Sequence, residues 1–179
     1  MIFRALIALL LLSTLALGAV GTSIQQGPVM RIRVEGRGNI DVRLHTKEAP
    51  RATGQIMRLA KSGFYNGLRF HRVVRSPRPF LVQVGDPASR DGVDDPRIGA
   101  GGSGTKVPYE DSGFKHVAGA VGLSTKEGDR NSGDSQFHIM LSDQGFLDGQ
   151  YTVFGQVISG MDVVQRIEKG DRIVSITIL

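Results

Sequence analysis

The chain contains no cysteine, which removes disulfides, thiolate metal sites and cysteine nucleophiles together. The compartment is not fixed by that absence, because a domain of this size can be stable without disulfides. Proline is scarce, 7 in 179 residues, and no Gly-X-Y period exists, so collagen-like and polyproline scaffolds are excluded. Basic residues are scattered with no run beyond two, and the net charge is only +5. Without a basic helix interleaved with aromatics this is no nucleic-acid footprint, and no nucleic acid is expected as a partner. What the chain has in plenty is glycine, 24 residues, about twice the ordinary share. With 40% apolar residues it lies outside the disordered class, and its length suits one domain with a real core. These features describe a turn-rich, β-rich domain whose backbone often needs positive φ or close approach.

Residues 1–18 do not read as part of the fold. Met1-Ile2-Phe3-Arg4 gives a short positive start, Ala5 to Leu17 is apolar apart from Ser13-Thr14, and Ala16-Leu17-Gly18 offers small residues for cleavage. This is the layout of a signal peptide, so the protein is expected to be exported, periplasmic or secreted. An uncleaved membrane anchor over residues 1–20 and a buried N-terminal helix are the alternatives; a spanning helix needs about 20 apolar residues. Loss of residues 1–18 removes one charge, Arg4, and leaves a net +4. A short linker over 19–28 then precedes a domain over 29–179.

Two-residue periodicity dominates that domain. Met30, Ile32 and Val34 alternate with charged residues, and after Gly36-Arg37-Gly38-Asn39 so do Ile40, Val42 and Leu44, which is the pattern of an antiparallel hairpin. Pro50 opens a helical stretch to about Ser62, with Ile56, Leu59 and Ala60 on one face and Gly63 closing it. Further strands are expected at Arg69–Val74, Phe80–Val84, Ala120–Ser124, Gln136–Leu141, Tyr151–Val157 and Ile173–Leu179, and a second helix at Met161–Glu168. Eight short strands and two isolated helices are not repeated βαβ units. They predict a mainly β fold, a closed eight-stranded antiparallel barrel with helices plugging its ends. Between Asp86 and Glu110 lies an aperiodic stretch rich in Gly, Asp, Pro and Arg, long enough to demand a function.

Several motifs fail in context. Gly99-Ala100-Gly101-Gly102-Ser103-Gly104 matches a dinucleotide fingerprint, but no buried strand precedes it and Thr105-Lys106-Val107-Pro108 cannot open the helix it needs. Asp129-Arg130-Asn131-Ser132-Gly133 begins like a calcium loop, but its twelfth position is Met140. His45, His71, His116 and His138 show no ligand spacing. Ser124 and Ser135 lack a nucleophile-elbow pattern. No metal and no cofactor are expected.

Four linked segments carry the chemistry: Phe70-His71-Arg72-Val73-Val74, Phe80-Leu81-Val82-Gln83-Val84-Gly85-Asp86, Ser135-Gln136-Phe137-His138-Ile139, and Phe146-Leu147-Asp148-Gly149-Gln150-Tyr151-Thr152-Val153-Phe154-Gly155. Together with Ala49-Pro50, Gly63-Phe64-Tyr65-Asn66-Gly67, the Gly99–Gly102 glycines and Gly160-Met161-Asp162-Val163-Val164, they make the chain resemble the cyclophilin family of peptidyl-prolyl cis-trans isomerases, here an exported member of bacterial type. The resemblance runs from about Met30 to the C-terminus. It implies an eight-stranded barrel capped by two helices, proline-containing polypeptides as substrates and a chain expected to act as a monomer.

Rotation about an X-Pro bond must break C–N resonance, a barrier of about 18–20 kcal/mol, with no bond made and no proton moved. Such a site needs an apolar pocket for the proline ring and a donor that favours the twisted, single-bonded nitrogen. A guanidinium suits the second task because it stays protonated and offers fixed donors. The resemblance implies that Arg72 is that donor, that Gln83 orients it and binds the substrate backbone, and that Phe80, Phe146 and Leu147 line the proline pocket. By strand alternation Gln83 shares a face with Leu81 and not with Phe80, so the two pocket roles call for a twist or bulge nearby. Gln136, Ser124 and Thr125 would contact the flanking peptide, and Gly99 would let loop backbone approach it. Leu81, His138 and Tyr151 complete the expected substrate-contacting set. For each residue the plainer alternative is a surface or core role.

The chain departs from the family at His138, where a second Phe is common, at Phe146, where many members carry Trp, and at Tyr151, where many carry His. His138 could titrate near pH 6.5 or simply face a water, and the second is preferred. Phe146 lacks the indole donor, so weak binding of cyclosporin-like macrocycles is expected. Arg75-Ser76-Pro77-Arg78-Pro79 is longer than the usual connection and is expected beside the pocket, where it could alter substrate preference. A non-catalytic module that binds Pro-containing segments is the alternative function.

Overall fold

The computed structural model describes residues 27–179. The expected signal peptide at 1–18, its anchor alternative and most of the linker lie outside the described residues. Among the described residues, no helix is long and apolar enough to cross a membrane.

The elements follow the sequence pattern closely: β1 (Val29–Val34), β2 (Gly38–Leu44), α1 (Pro50–Lys61), β3 (Arg72–Val74), β4 (Leu81–Val84), β5 (Ala120–Leu123), β6 (Phe137–Met140), β7 (Val153–Ser159), α2 (Met161–Arg166) and β8 (Ile173–Ile178). All eight strands belong to one sheet in the order β3-β4-β6-β5-β7-β2-β1-β8, and every pairing is antiparallel. Met30, Ile32 and Val34 of β1 pair with Val42, Ile40 and Gly38 of β2. Their alternate side chains thus reach the core together.

The expected closed barrel is corrected here to a curled, half-closed sheet. β3 and β8 are its two edges and do not pair as strands. One isolated bridge, Arg69 with Arg172, stands at the seam, flanked by backbone hydrogen bonds from Gly67 to Ile173, Ile173 to Leu68, Phe70 to Asp171 and Gly170 to Phe70 at 2.8–2.9 Å. Residues 67–71, which precede β3, therefore partly cover the edge of β8. Two-residue periodicity reports which face a side chain occupies, but closure depends on twist and shear, which leave no mark in that pattern.

Inside the curl, Tyr65, Phe70, Phe137 and Phe154 are wholly buried. Phe137 meets Tyr65 and Phe154 edge-on at 5.7 and 6.1 Å, the arrangement aromatic quadrupoles favour, and the Tyr65 hydroxyl donates to the Ser135 carbonyl at 3.0 Å. The α1 helix buries Ala52, Ile56, Leu59 and Ala60, and Pro50 begins it because its missing N–H costs nothing there. Ala49 supplies no side-chain cap. The distant Glu110 carboxylate takes that role, accepting the Arg51 and Ala52 N–H groups at 3.0 and 2.9 Å. A short α2 packs Val163 and Val164 into the same core.

Candidate functional site

The register of four strands lines up a row of side chains. Arg72 of β3 faces Gln83 of β4, which faces His138 of β6, which faces Gly122 of β5. Val73, Val82, Ile139 and Val121, one step along, belong to the core. Alternation therefore puts the Arg72 row on the outer side of the sheet. On that same side, Leu81, Ala120, Met140, Leu147 and Val153 form a second apolar cluster, against which Val74, Phe80 and Tyr151 pack. Leu81 and Gln83 share a face, as the alternation requires. Phe80 stands just before the ladder of β4, so alternation does not bind it; it joins the outer cluster and stacks on Phe146 at 6.0 Å. Phe146 itself is 69% exposed.

The polar half of the site is one connected network. Arg72 Nη1 donates to Gln83 Oε1 at 3.2 Å, and Gln83 Nε2 donates to Gln136 Oε1 at 2.9 Å. Gln136 Nε2 in turn donates to the Gly99 and Gly101 carbonyls at 3.0 and 2.8 Å. Beneath them the wholly buried Asp86 accepts the N–H groups of Ala88, Gly99 and Gly101 at 2.8, 2.6 and 2.9 Å. A carboxylate with several backbone donors can hold an otherwise structureless loop in one shape. A Cβ at Gly101 would lie 2.5 Å from Asp86 Oδ1, so this close approach requires glycine. Further along, Asp134 accepts from the Ser103 N–H, the Ser103 hydroxyl and the Gly104 N–H at 2.8, 2.5 and 2.9 Å. Neither aspartate stood out in the sequence; the only hint was a glycine-rich loop with no backbone partners of its own.

A cavity of about 230 Å³ opens over this network, with Gln83, Gly99, Ser124, Thr125 and Gln136 among its lining. A neighbouring one is lined by Thr125, Phe146, Leu147 and Tyr151. The expected residues thus divide between the two: Arg72 is tied to the first through Gln83, and Phe80 and Leu81 to the second through Phe146 and the outer cluster.

His138 is 3% exposed, its Nδ1 lies 3.2 Å from the Ser124 hydroxyl, and its Nε2 is buried without a partner among the protein groups. A Cβ at residue 122 would come within 2.4 Å of that nitrogen, so the ring lies directly on Gly122. His116 stacks nearby at 5.7 Å, and Tyr151 meets His138 edge-on at 5.3 Å. Burial pushes the His138 imidazole down to about 3, with His116 and Arg72 adding repulsion. It is therefore neutral throughout the ordinary working range. His116, also lowered by burial, sets its Nδ1 3.1 Å from Asp148. The histidines form no cluster with acids that could hold a metal ion among the described residues. In the 75–79 loop, Arg75 turns to α2 and donates to the Val164 and Ile167 carbonyls at 3.4 and 2.8 Å.

Residues 29–178 match the family model described as cyclophilin type peptidyl-prolyl cis-trans isomerase/CLD. A probable peptidyl-prolyl cis-trans isomerase of Brucella suis is 38% identical over 172 residues, covering 93% of this chain and 86% of the relative. A peptidyl-prolyl cis-trans isomerase of Helicobacter pylori is 38% identical over 144 residues, covering 78% and 80%. Among solved structures, a cyclophilin type peptidyl-prolyl cis-trans isomerase of Cryptosporidium parvum superposes with a TM-score of 0.73 at 25% identity, covering 85% of this chain and 97% of that one. The same protein has been crystallised in the presence of the dipeptide Ala-Pro. By the family model over residues 29–178 and by these relatives, the chain belongs to the cyclophilin-type peptidyl-prolyl cis-trans isomerase family.

Proposed function

We propose that the outer face of β3, β4 and β6 binds proline-containing polypeptides and that Arg72 accelerates rotation about their X-Pro bonds. The reading rests on one observation: an exposed guanidinium held by Gln83 on the same sheet face that carries the Leu81 cluster and the Phe80–Phe146 stack. The proline ring covers Phe80, Phe146 and Leu147, removing apolar area from water. Arg72 then donates to the amide nitrogen as it loses planarity, an interaction absent from the planar ground state. Gln83 holds the guanidinium in place, and Gln136, Ser124, Thr125 and the Gly99 backbone contact the flanking peptide. Leu81 and the buried His138 shape the floor, and Tyr151 supports it. The substrates are folding or exported chains, and residues 1–18 direct the protein out of the cytoplasm.

NMR exchange spectroscopy on an Ala-Pro peptide tests the catalysis. Wild type raises the cis/trans exchange rate, and Arg72→Ala abolishes most of the gain. An unchanged rate with wild type, or full activity in Arg72→Ala, refutes the reading. Export is checked separately by mass spectrometry of the exported protein, which begins near Ala19 if the segment is cleaved; an intact Met1 contradicts cleavage.

A further inference from the structure

We infer that the cavity beside Gln136 selects an acidic side chain of the bound peptide, near the proline, and that Lys106 and Lys126 recognise it. This rests on the binding mode proposed above and adds a substrate class to it. The 230 Å³ space far exceeds the ~10–15 Å³ that one water needs, so it has room for a side chain. Gln83 and Gln136 line it, and Gln83 holds Arg72, so a peptide lying on Arg72 can direct a neighbouring side chain into it.

The lining then decides which side chain fits. Lys106 and Lys126 both line the cavity and are exposed, and neither takes part in any of the ion pairs among the described residues. Asp134 is the one acid in the lining and Asp86 lies behind Gln136; both carboxylates are turned to loop donors, and Lys106, Lys126 and Arg72 outnumber them. The acids of the adjoining turn, Glu127 and Asp129, line the neighbouring cavity, which Arg130 and Lys126 line as well, so Lys126 stands between the two cavities and the two acids there face two cations. Arg72 adds a third positive charge next to Gln83. The remaining lining, Ser124, Thr125, Ser132 and glycine backbone, is polar and neutral. A concave site with an excess of positive charge favours a carboxylate and disfavours an ammonium.

The test compares three peptides that carry Ala-Pro and differ only in one residue ahead of it, Glu, Gln or Lys, substituted at each of the two preceding positions. At one position kcat/KM falls in the order Glu, Gln, Lys, by about 1.5- to fivefold per step, as exposed ion pairs give, and the spread shrinks with added salt. The effect appears chiefly in KM. The double variant K106E/K126E inverts the order, and K106Q/K126Q flattens it. Equal values for the three peptides at both positions overturn the inference, as does a Glu preference that survives in both variants. Peptide Kd, from chemical-shift titration, reads the same order without turnover. Absence of exchange with every peptide therefore refutes the catalytic reading, while the Kd order still decides this one.

Discussion

Arg72 and Gln83 stand directly opposite each other on β3 and β4, with the guanidinium Nη1 3.2 Å from the glutamine Oε1. The glutamine amide is in turn held by Gln136, so the orientation of Arg72 is set by a chain of side-chain amides that ends on loop backbone.

Arg72→Ala is expected to lower kcat/KM on an Ala-Pro peptide by about 10²–10³-fold, the usual cost of removing one transition-state donor. Because Arg72 is exposed, its thermal unfolding temperature should change little. Arg72→Lys keeps the charge and loses the planar fork, so it should recover only a minor part of the rate. Gln83→Leu should leave the guanidinium unheld and reduce kcat more than KM. NMR exchange rates and a melting curve for each variant check the set, and a melting temperature that falls in step with the rate would argue for a structural role instead.

Asp86→Ala is expected to cost stability and activity together. Its carboxylate serves three backbone N–H groups and lies 3.3 Å from Gln136 Nε2. These donors are only partly buried, so each bond is worth nearer the ordinary net of about 0.5–1.5 kcal/mol, and a loss of about 1.5–4.5 kcal/mol should appear in urea unfolding. Gly101→Ala acts on the same contact from the other side, because the added methyl collides with Asp86. A stable, fully active Gly101→Ala would show that the loop is not held as described.

The parts of this molecule that could be read from its sequence are those whose cause is local. The alternation of Met30, Ile32 and Val34 with charged neighbours, and of Ile40, Val42 and Leu44 across the turn, gave β1 and β2 because one face of each must be buried. Pro50 and Gly63 marked the ends of α1 for conformational reasons. Arg72 and Gln83 could be paired from family motifs, and alternation placed Gln83 with Leu81. What stayed hidden depends on partners remote in sequence. Glu110 caps α1, and Asp86 and Asp134 anchor loop backbone 13 to 31 residues away. A carboxylate aimed at backbone N–H groups leaves no pattern in side-chain types. The depth of His138 was hidden for a similar reason: it depends on Gly122 opposite, whose missing side chain makes room for the ring.

Phe146→Trp should strengthen binding of a cyclosporin-like macrocycle. Phe146 is exposed and stacks on Phe80, so a larger ring has space, and the indole adds one N–H donor. One net hydrogen bond of about 0.5–1.5 kcal/mol corresponds to roughly two- to tenfold in affinity. Weak inhibition of wild type and a tighter constant for the variant are the expected results; tight inhibition of wild type would contradict the role given to residue 146.

The buried histidines make stability depend on acid in a calculable direction. His138 is neutral when folded, with its pKa at about 3, whereas in the unfolded chain it titrates near ~6.5. Below that value the unfolded state binds a proton that the folded state refuses, so stability is full above about pH 6.5 and is lost as pH falls toward 3. The slope from this one residue is about 1.4 kcal/mol per pH unit. His45, His71 and His116 are lowered in the same direction, chiefly by burial, so they add to the loss. Asp148, lowered first by the His116 N–H, also loses stability in acid. His138→Phe removes one contribution and leaves the others in place. Urea unfolding between about pH 7.5 and 4.5 should therefore show a variant whose stability falls less steeply than wild type, by close to one proton. Equal slopes would mean that His138 already takes up its proton in the folded protein and that its ring is not sealed against Gly122.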